Sequence, residues 1–274
     1  MKVAWKGIIS LGLVKVPVHL YRATGEHGIQ LRQIHETDGG IVKQKRFCES
    51  EQKEIPYQEV SKGYEVAPGV VVKLTQEDLS ALRTPSEKKI EIFSFINLSR
   101  IDPLMFSAAY YIGPSGRPAV KPYTLLRSAL KDARKVAVTK VTLWSRETPA
   151  IVRIHADVLL LHTLHWPDEI RPTLGIAPAV EESVTKKEID EAKLLVEELS
   201  RDFDLRSLED EYQERLQRVI SARLQGLEVS YAGSASAPSV GEIDLSPLLE
   251  ESVQRARRIN KASREDSGRR RKKL

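Results

Sequence analysis

The chain has 274 residues, 41% of them hydrophobic and 30% charged, with 43 Lys and Arg against 38 Asp and Glu for a formal net charge of +5. One cysteine excludes an intramolecular disulfide and any multi-cysteine metal centre, and no apolar run approaches the ~20 residues of a membrane span. The N-terminus also lacks the apolar stretch and small-residue cleavage site of a secretory signal, so a reducing cytoplasm is the expected compartment.

Residues 5–21 read as paired β-strands: Trp5, Gly7, Ile9, Leu11 and Leu13 alternate onto one side, and after a one-residue slip Val14, Val16, Val18 and Leu20 take over. The slip predicts a bulge or bend. Gly7 and Gly12 mark close backbone approach, and Pro17, which lacks a donor, belongs at an edge or bend. Further β-rich runs follow at 70–74, 90–96, 108–112, 136–144, 150–154 and 158–164. Two short helices interrupt them: one capped by Thr75 with Asp78 and leading into Leu79 and Leu82, the other over 123–133 with Leu125, Leu126, Ala129 and Leu130 on one face. Many short antiparallel strands with few helices predict a mainly β fold with some α, a barrel occupying 1–180.

From Thr185 the apolar period lengthens to 3.6. Thr185-Lys186-Lys187-Glu188 is a capping box, after which Ile189, Ala192, Val196 and Leu199 share a stripe. A second helix aligns Leu208, Tyr212, Leu216, Val219 and Leu224, with Gly226 suited to its C-terminal cap, so 181–228 reads as a helical arm. Residues 229–242 are small and polar, the composition of a flexible linker. Beyond it, 243–258 forms a short amphipathic helix on Leu245, Leu248, Leu249 and Val253, with Pro247 tolerated in its first turn. Such a helix gains stability in a partner's groove or by folding back onto the body. The tail 259–274 ends in Arg269, Arg270, Arg271, Lys272 and Lys273, too charged to collapse until it meets phosphate.

Charge is segregated along the chain. The last twenty residues hold ten basic and two acidic side chains, leaving 33 basic and 36 acidic in the rest. Within the rest, 1–46 carries eight basic and three acidic residues and 117–146 eight and one, whereas 181–226 carries thirteen acidic against eight basic. That pattern suits a basic groove backed by an acidic exterior, or ordinary solvated faces. No catalytic constellation emerges: there is no Walker loop, nucleophile elbow, zinc-helix pair or dinucleotide fingerprint. His162 and His165, near Asp168 and Glu169, form the best metal-like cluster, but on a strand an offset of three puts the two rings on opposite faces.

The wording of the opening, W-K-G-x-I-S-x-G-L-V-x-V-P-V-x-L-Y, resembles the bacterial Ku proteins, the DNA-end-binding factors of non-homologous end joining. The resemblance continues through Asp38-Gly39-Gly40, Lys45-Arg46-Phe47-Cys48, Lys62-Gly63-Tyr64-Glu65, Leu161-His162-Thr163-Leu164, Trp166-Pro167-Asp168-Glu169 and Asp210-Glu211-Tyr212. It spans residues 1–228, with a weaker match near 244–253. Many relatives carry Cys-x-x-Cys where this chain has Cys48-Glu49-Ser50-Glu51, so a metal or redox role for that pair is absent here.

The resemblance implies a Ku-type antiparallel barrel, a bridge arch at about 30–65 that crosses DNA, a helical arm, and a homodimeric ring threaded from a double-stranded DNA end. No catalytic residue, cofactor or metal is needed, and the protein would be nucleoid-associated. Lys43, Lys45 and Arg46 in the arch are the foremost DNA contacts; Lys6, Arg32, Arg146 and Arg171 follow by alignment with the family. Asp244, Leu245, Leu248, Leu249 and Val253 lie where the family carries the segment that recruits DNA ligase D, and the basic tail adds sequence-blind attraction to DNA. The rival reading is a non-catalytic β-barrel scaffold that binds RNA or single strands by stacking; three Trp, five Phe and eight Tyr without an aromatic-basic motif give it less support.

Overall fold

The computed structural model describes residues 1–82, 88–144, 146–177, 184–200, 203–227, 245 and 247–258. Two compact units divide the chain, Met1–Pro172 and Thr173–Leu274. The linker 229–242, Asp244 and the tail 259–274 lie outside the described residues.

The first unit is a closed barrel. Its strands are β1 (Val3–Leu11), β2 (Val14–Arg22), β7 (Lys89–Ile96), β8 (Phe106–Pro114), β9 (Val136–Leu143), β10 (Arg146–His155) and β11 (Val158–Leu164), ordered β1-β2-β8-β11-β10-β9-β7 around the ring. Neighbours pair antiparallel except at the closing seam, where β1 and β7 run parallel with Ile9 opposite Ile90. The slip foreseen near Leu13 is the β1–β2 hairpin turn itself, with Gly12 at φ 56. Pro17 stands opposite Ile8, where the β2–β8 ladder ends at Val18 and Pro114, and its carbonyl accepts the Ser115 amide at 2.9 Å. A missing N–H at the end of a ladder sacrifices no bond.

Alternation inside these strands places Ile9, Val16, Val18, Leu20, Ile90, Ile112, Val152, Leu159 and Leu161 in one core. A smaller cluster of Ile101, Val136, Ile151 and Leu164 fills one flank. Helix α2 (Arg117–Ala133) packs on β2, β8 and β10. It starts six residues before the 123 expected, because Gly116 at φ 80 and Pro118 open the helix and Pro122 is accommodated within it. Its buried face is Ala119, Tyr123, Leu126 and Leu130: Leu126 and Leu130 are buried as expected, whereas Leu125 and Ala129 are exposed. Tyr123 settles that rotation: its hydroxyl donates to the Ile112 carbonyl and accepts the Leu159 amide, a pairing that periodicity cannot foresee.

Between β2 and β7 the chain leaves the barrel. This excursion holds β3 (Phe47–Cys48) paired with β4 (Lys53–Glu54), β5 (Lys62–Ala67) paired with β6 (Val70–Leu74), and helix α1 (Gln76–Ala81) with the foreseen Thr75–Asp78 box. The run at 70–74 is therefore a strand of a separate hairpin, not of the barrel.

In the second unit, α3 (Lys186–Leu199) begins with the Thr185–Glu188 capping box, whose bonds hold the Glu188 carboxyl below its ordinary range. Helix α4 (Glu211–Leu224) is capped by Asp210 and followed by Gly226 at φ 70. The anticipated stripe on α3 is open: Ile189, Val196 and Leu199 are all exposed. Residues 247–258 form a further helix. No helix among the described residues is long and apolar enough to cross a membrane.

Candidate nucleic-acid interface

Two basic features belong to the first unit, and the first sits on the barrel's outer face at the parallel seam. Because Ile9 points into the core, its neighbours Ile8 and Lys6 point outward, and Lys6 and Ile8 are exposed. The register then sets Lys15 beside Ser10 on the β2 side and Lys89 beside Ile8 on the β7 side. Lys6, Gly7, Ile8, Ser10, Lys15, Lys88 and Lys89 line a cavity of about 530 Å³. Lys89 meets Glu91 at 3.2 Å, while Lys6, Lys15 and Lys88 have no carboxylate partner among the described residues. Like charges gathered around an open concavity repel one another, and an anion seated there relieves that repulsion.

A tight packing holds the seam in place. The Trp5 indole lies over Gly7 and donates to the Thr142 carbonyl at 3.1 Å, while the Ile8 amide donates to the Lys88 carbonyl at 2.7 Å. Sequence reading singled out Lys6 but missed Lys15, Lys88 and Lys89. Lys88 and Lys89 reach the site through a parallel pairing some eighty residues distant along the chain, and no local pattern announces that contact.

The second feature is the excursion, exposed along nearly all of 23–74. Its turns are built by the motifs singled out in the sequence. The Asp38 carboxylate accepts the Gly40 amide at 2.8 Å and meets His35 at 2.9 Å, which holds its pKa below the ordinary value and folds Ile34 back onto Ile41. Glu65 accepts the Gly69 amide at 2.9 Å across the β5–β6 turn. Arg32 and Lys43 are exposed cations on this excursion; the Arg46 guanidinium lies 4.6 Å from the Tyr57 ring centroid; Lys45 is already paired with Glu54 at 2.7 Å. An exposed pair of that kind holds weakly and yields to a stronger anion. Arg146, at the start of β10, and Arg171 are exposed as well, but they do not line the lysine cavity.

The histidines stand apart, each with its own partner. His162 accepts from Arg153 Nε at 3.4 Å and lies edge-on to Phe106, whereas His165 meets Glu169 at 3.4 Å. Burial, then the charge of Arg153 and His155, pushes the His162 pKa below its ordinary value. Among the described residues no three His, Cys, Asp or Glu side chains are grouped to hold a metal ion.

Strand order, the inserted excursion and the seam define a closed seven-stranded β-barrel with a lysine-lined cavity on its outer face. The family model described as the Ku70/Ku80 beta-barrel domain matches residues 10–194. The non-homologous end joining protein Ku of Streptomyces griseus is 43% identical over 269 residues, covering 98% of this chain and 66% of that protein. Its counterpart in Streptomyces avermitilis is 38% identical, covering 96% and 82%, and that of Bacillus subtilis 35%, covering 95% and 84%. The chain belongs to the Ku family.

Proposed function

We propose that this chain binds double-stranded DNA ends in non-homologous end joining, as a homodimeric ring without catalytic residues or cofactors. The observation that carries this reading is the gathering on one barrel face of Lys6, Lys15 and Lys88, which have no carboxylate partner among the described residues, together with an uncovered arm bearing Arg32, Lys43 and Arg46. Such cations hold sugar-phosphate and ignore base identity. The relatives named as end joining proteins support the same assignment.

Pairing of two copies is supported by apolar surface that a single copy leaves bare. On the β5–β6 hairpin Tyr64, Val66, Val70, Val71 and Val72 are all exposed, and so are Val196, Leu199, Leu208 and Tyr212 in the second unit. A two-stranded hairpin with no core is marginal alone and acquires one against a partner. A ring closed by two such arms admits duplex only from a free terminus, so end preference arises from topology. Arg146 and Arg171 would add phosphate contacts, and the segment with Asp244, Leu245, Leu248, Leu249 and Val253 would recruit DNA ligase D. Arg269, Arg270, Arg271, Lys272 and Lys273 would attract any DNA, consistent with a nucleoid-associated protein in the cytoplasm.

A gel shift with linear and closed circular duplex of one sequence tests the ring. Preference for the linear form is expected, with affinity falling roughly 10³ to 10⁵-fold between 50 and 200 mM salt if about six to ten phosphates are contacted. Equal binding to both topologies would remove the ring. A second reading, single-strand binding, has one observation behind it: Phe93 stands at a bulge in β7, exposed, with Lys140 at 5.8 Å from its ring. Competition by single strands at equal nucleotide concentration would favour that alternative.

A further inference from the structure

The helix at 247–258 does not stand free in its unit. Its Glu250 carboxylate meets Lys187, in the first turn of α3, at 3.1 Å, and its Arg257 guanidinium meets Glu198, near the end of α3, at 2.8 Å. Start is tied to start and end to end, so the helix lies alongside α3 in the same direction. Between and beside these clasps, Leu249 is half-buried, Val253 is 5% exposed and Ala256 is 4% exposed. The spacing i, i+4, i+7 makes them one face. Past residue 172, Val253 and Ala256 are the sole buried positions among the described residues.

The seat is imperfect. Lys187 also meets Glu191 at 3.2 Å, so one ammonium serves two carboxylates, and Glu191 Oε2 is buried without a hydrogen-bond partner among the described residues. The Lys187–Glu250 pair is exposed and the Arg257–Glu198 pair partly so, and salt screens such pairs. Leu245 and Leu248 remain about half exposed on the neighbouring side of the helix, open to a first encounter.

We propose that α3 is a resting seat for the 247–258 helix and that the seat competes with the ligase for the Leu249, Val253 and Ala256 face. This rests on reading 243–258 as the ligase-recruiting segment. A short amphipathic helix has one apolar stripe, and a groove that takes it needs Leu249, Val253 and Ala256, which are withdrawn from solvent while the helix is clasped to α3. Recruitment then requires the helix to leave α3, and affinity for the ligase is lowered by the fraction of chains in which it is seated.

The test uses the full chain and the double variant Lys187→Glu, Glu198→Lys, which reverses both clasps without altering the recruiting segment. Amide exchange across 247–258 should quicken at least about tenfold, and affinity for DNA ligase D should rise by a similar factor, about tenfold, toward that of a peptide of residues 243–258. Adding Glu250→Lys and Arg257→Glu to the double variant should restore slow exchange. Unchanged exchange in the double variant would remove the seat. Faster exchange with unchanged ligase affinity, while the peptide binds, would remove the competition but leave recruitment standing. A peptide and a chain that both ignore the ligase would overturn recruitment and the competition with it, while the exchange result still reports the seat.

Discussion

The Tyr123 hydroxyl accepts the Leu159 amide at 2.9 Å, and it simultaneously donates to the Ile112 carbonyl at 2.8 Å. One side chain of α2 thereby ties together a backbone carbonyl of β8 and a backbone amide of β11. Tyr123→Phe keeps the ring and removes the bridge, so a loss of about 1–3 kcal/mol is expected by urea unfolding. Burial raises the Tyr123 pKa above its ordinary 10. The unfolded chain therefore loses its phenolic proton first, and stability declines as pH rises beyond about 10. Tyr123→Phe should flatten that alkaline limb.

His162 works at the other end of the pH scale. Its pKa is depressed, so the unfolded chain takes up a proton before the folded one does as pH falls below about 6.5. The contribution of neutral His162 is complete above that value and fades toward its lower folded pKa. Urea midpoints measured between pH 7.5 and 5 should fall in the wild-type chain and fall less in His162→Gln.

Gly7 has no room for a methyl group, since a Cβ there would enter the Trp5 indole and the Lys88 carbonyl. The backbone carbonyl cannot move without opening the β1–β7 seam. Gly7→Ala should cost at least about 1–3 kcal/mol, the usual range for overpacking a tight contact. The lysine cavity rests on that seam, so DNA affinity should fall along with thermal stability.

Lys6, Lys15 and Lys88 can be tested without disturbing the core. Changing all three to Gln should lower the slope of log affinity against log salt by about 2.7 units, from roughly 0.9 per phosphate contact. Lys89 is left in place because it is tied to Glu91. An unchanged slope would mean that the cavity meets no phosphate.

In the arm, Lys43→Glu with Arg46→Glu should weaken binding to every duplex sequence alike, because phosphate contacts carry no base information. Both side chains are exposed, so thermal stability should shift by no more than about 0.5 kcal/mol. Loss confined to particular sequences would point to base reading instead.

Several sequence motifs proved to be local devices, which is why they were legible. Asp38 closes a reverse turn on Gly40, Glu65 closes a hairpin on Gly69, Glu169 accepts the Trp166 amide at 2.7 Å, and Asp210 caps α4. Each acts within a few residues of itself, as does the alternation that located β11 at Val158–Leu164. Readings that depended on distant neighbours fared less well. The face of α2 was rotated because Tyr123 answers to β8 and β11, and the stripe on α3 is bare because its covered side includes Glu191, 15% exposed, instead.

Composition and local pattern thus determined the barrel strands, the caps and the segregation of charge, because propensity, alternation and short-range hydrogen bonding operate over less than a dozen residues. Tertiary structure alone decided that Lys88 and Lys89 join Lys6 and Lys15 around one cavity, and that residues 247–258 lie against α3. A parallel seam between β1 and β7, or an ion pair from Lys187 to Glu250, is selected by the free energy of the whole chain, and no window of sequence contains both partners.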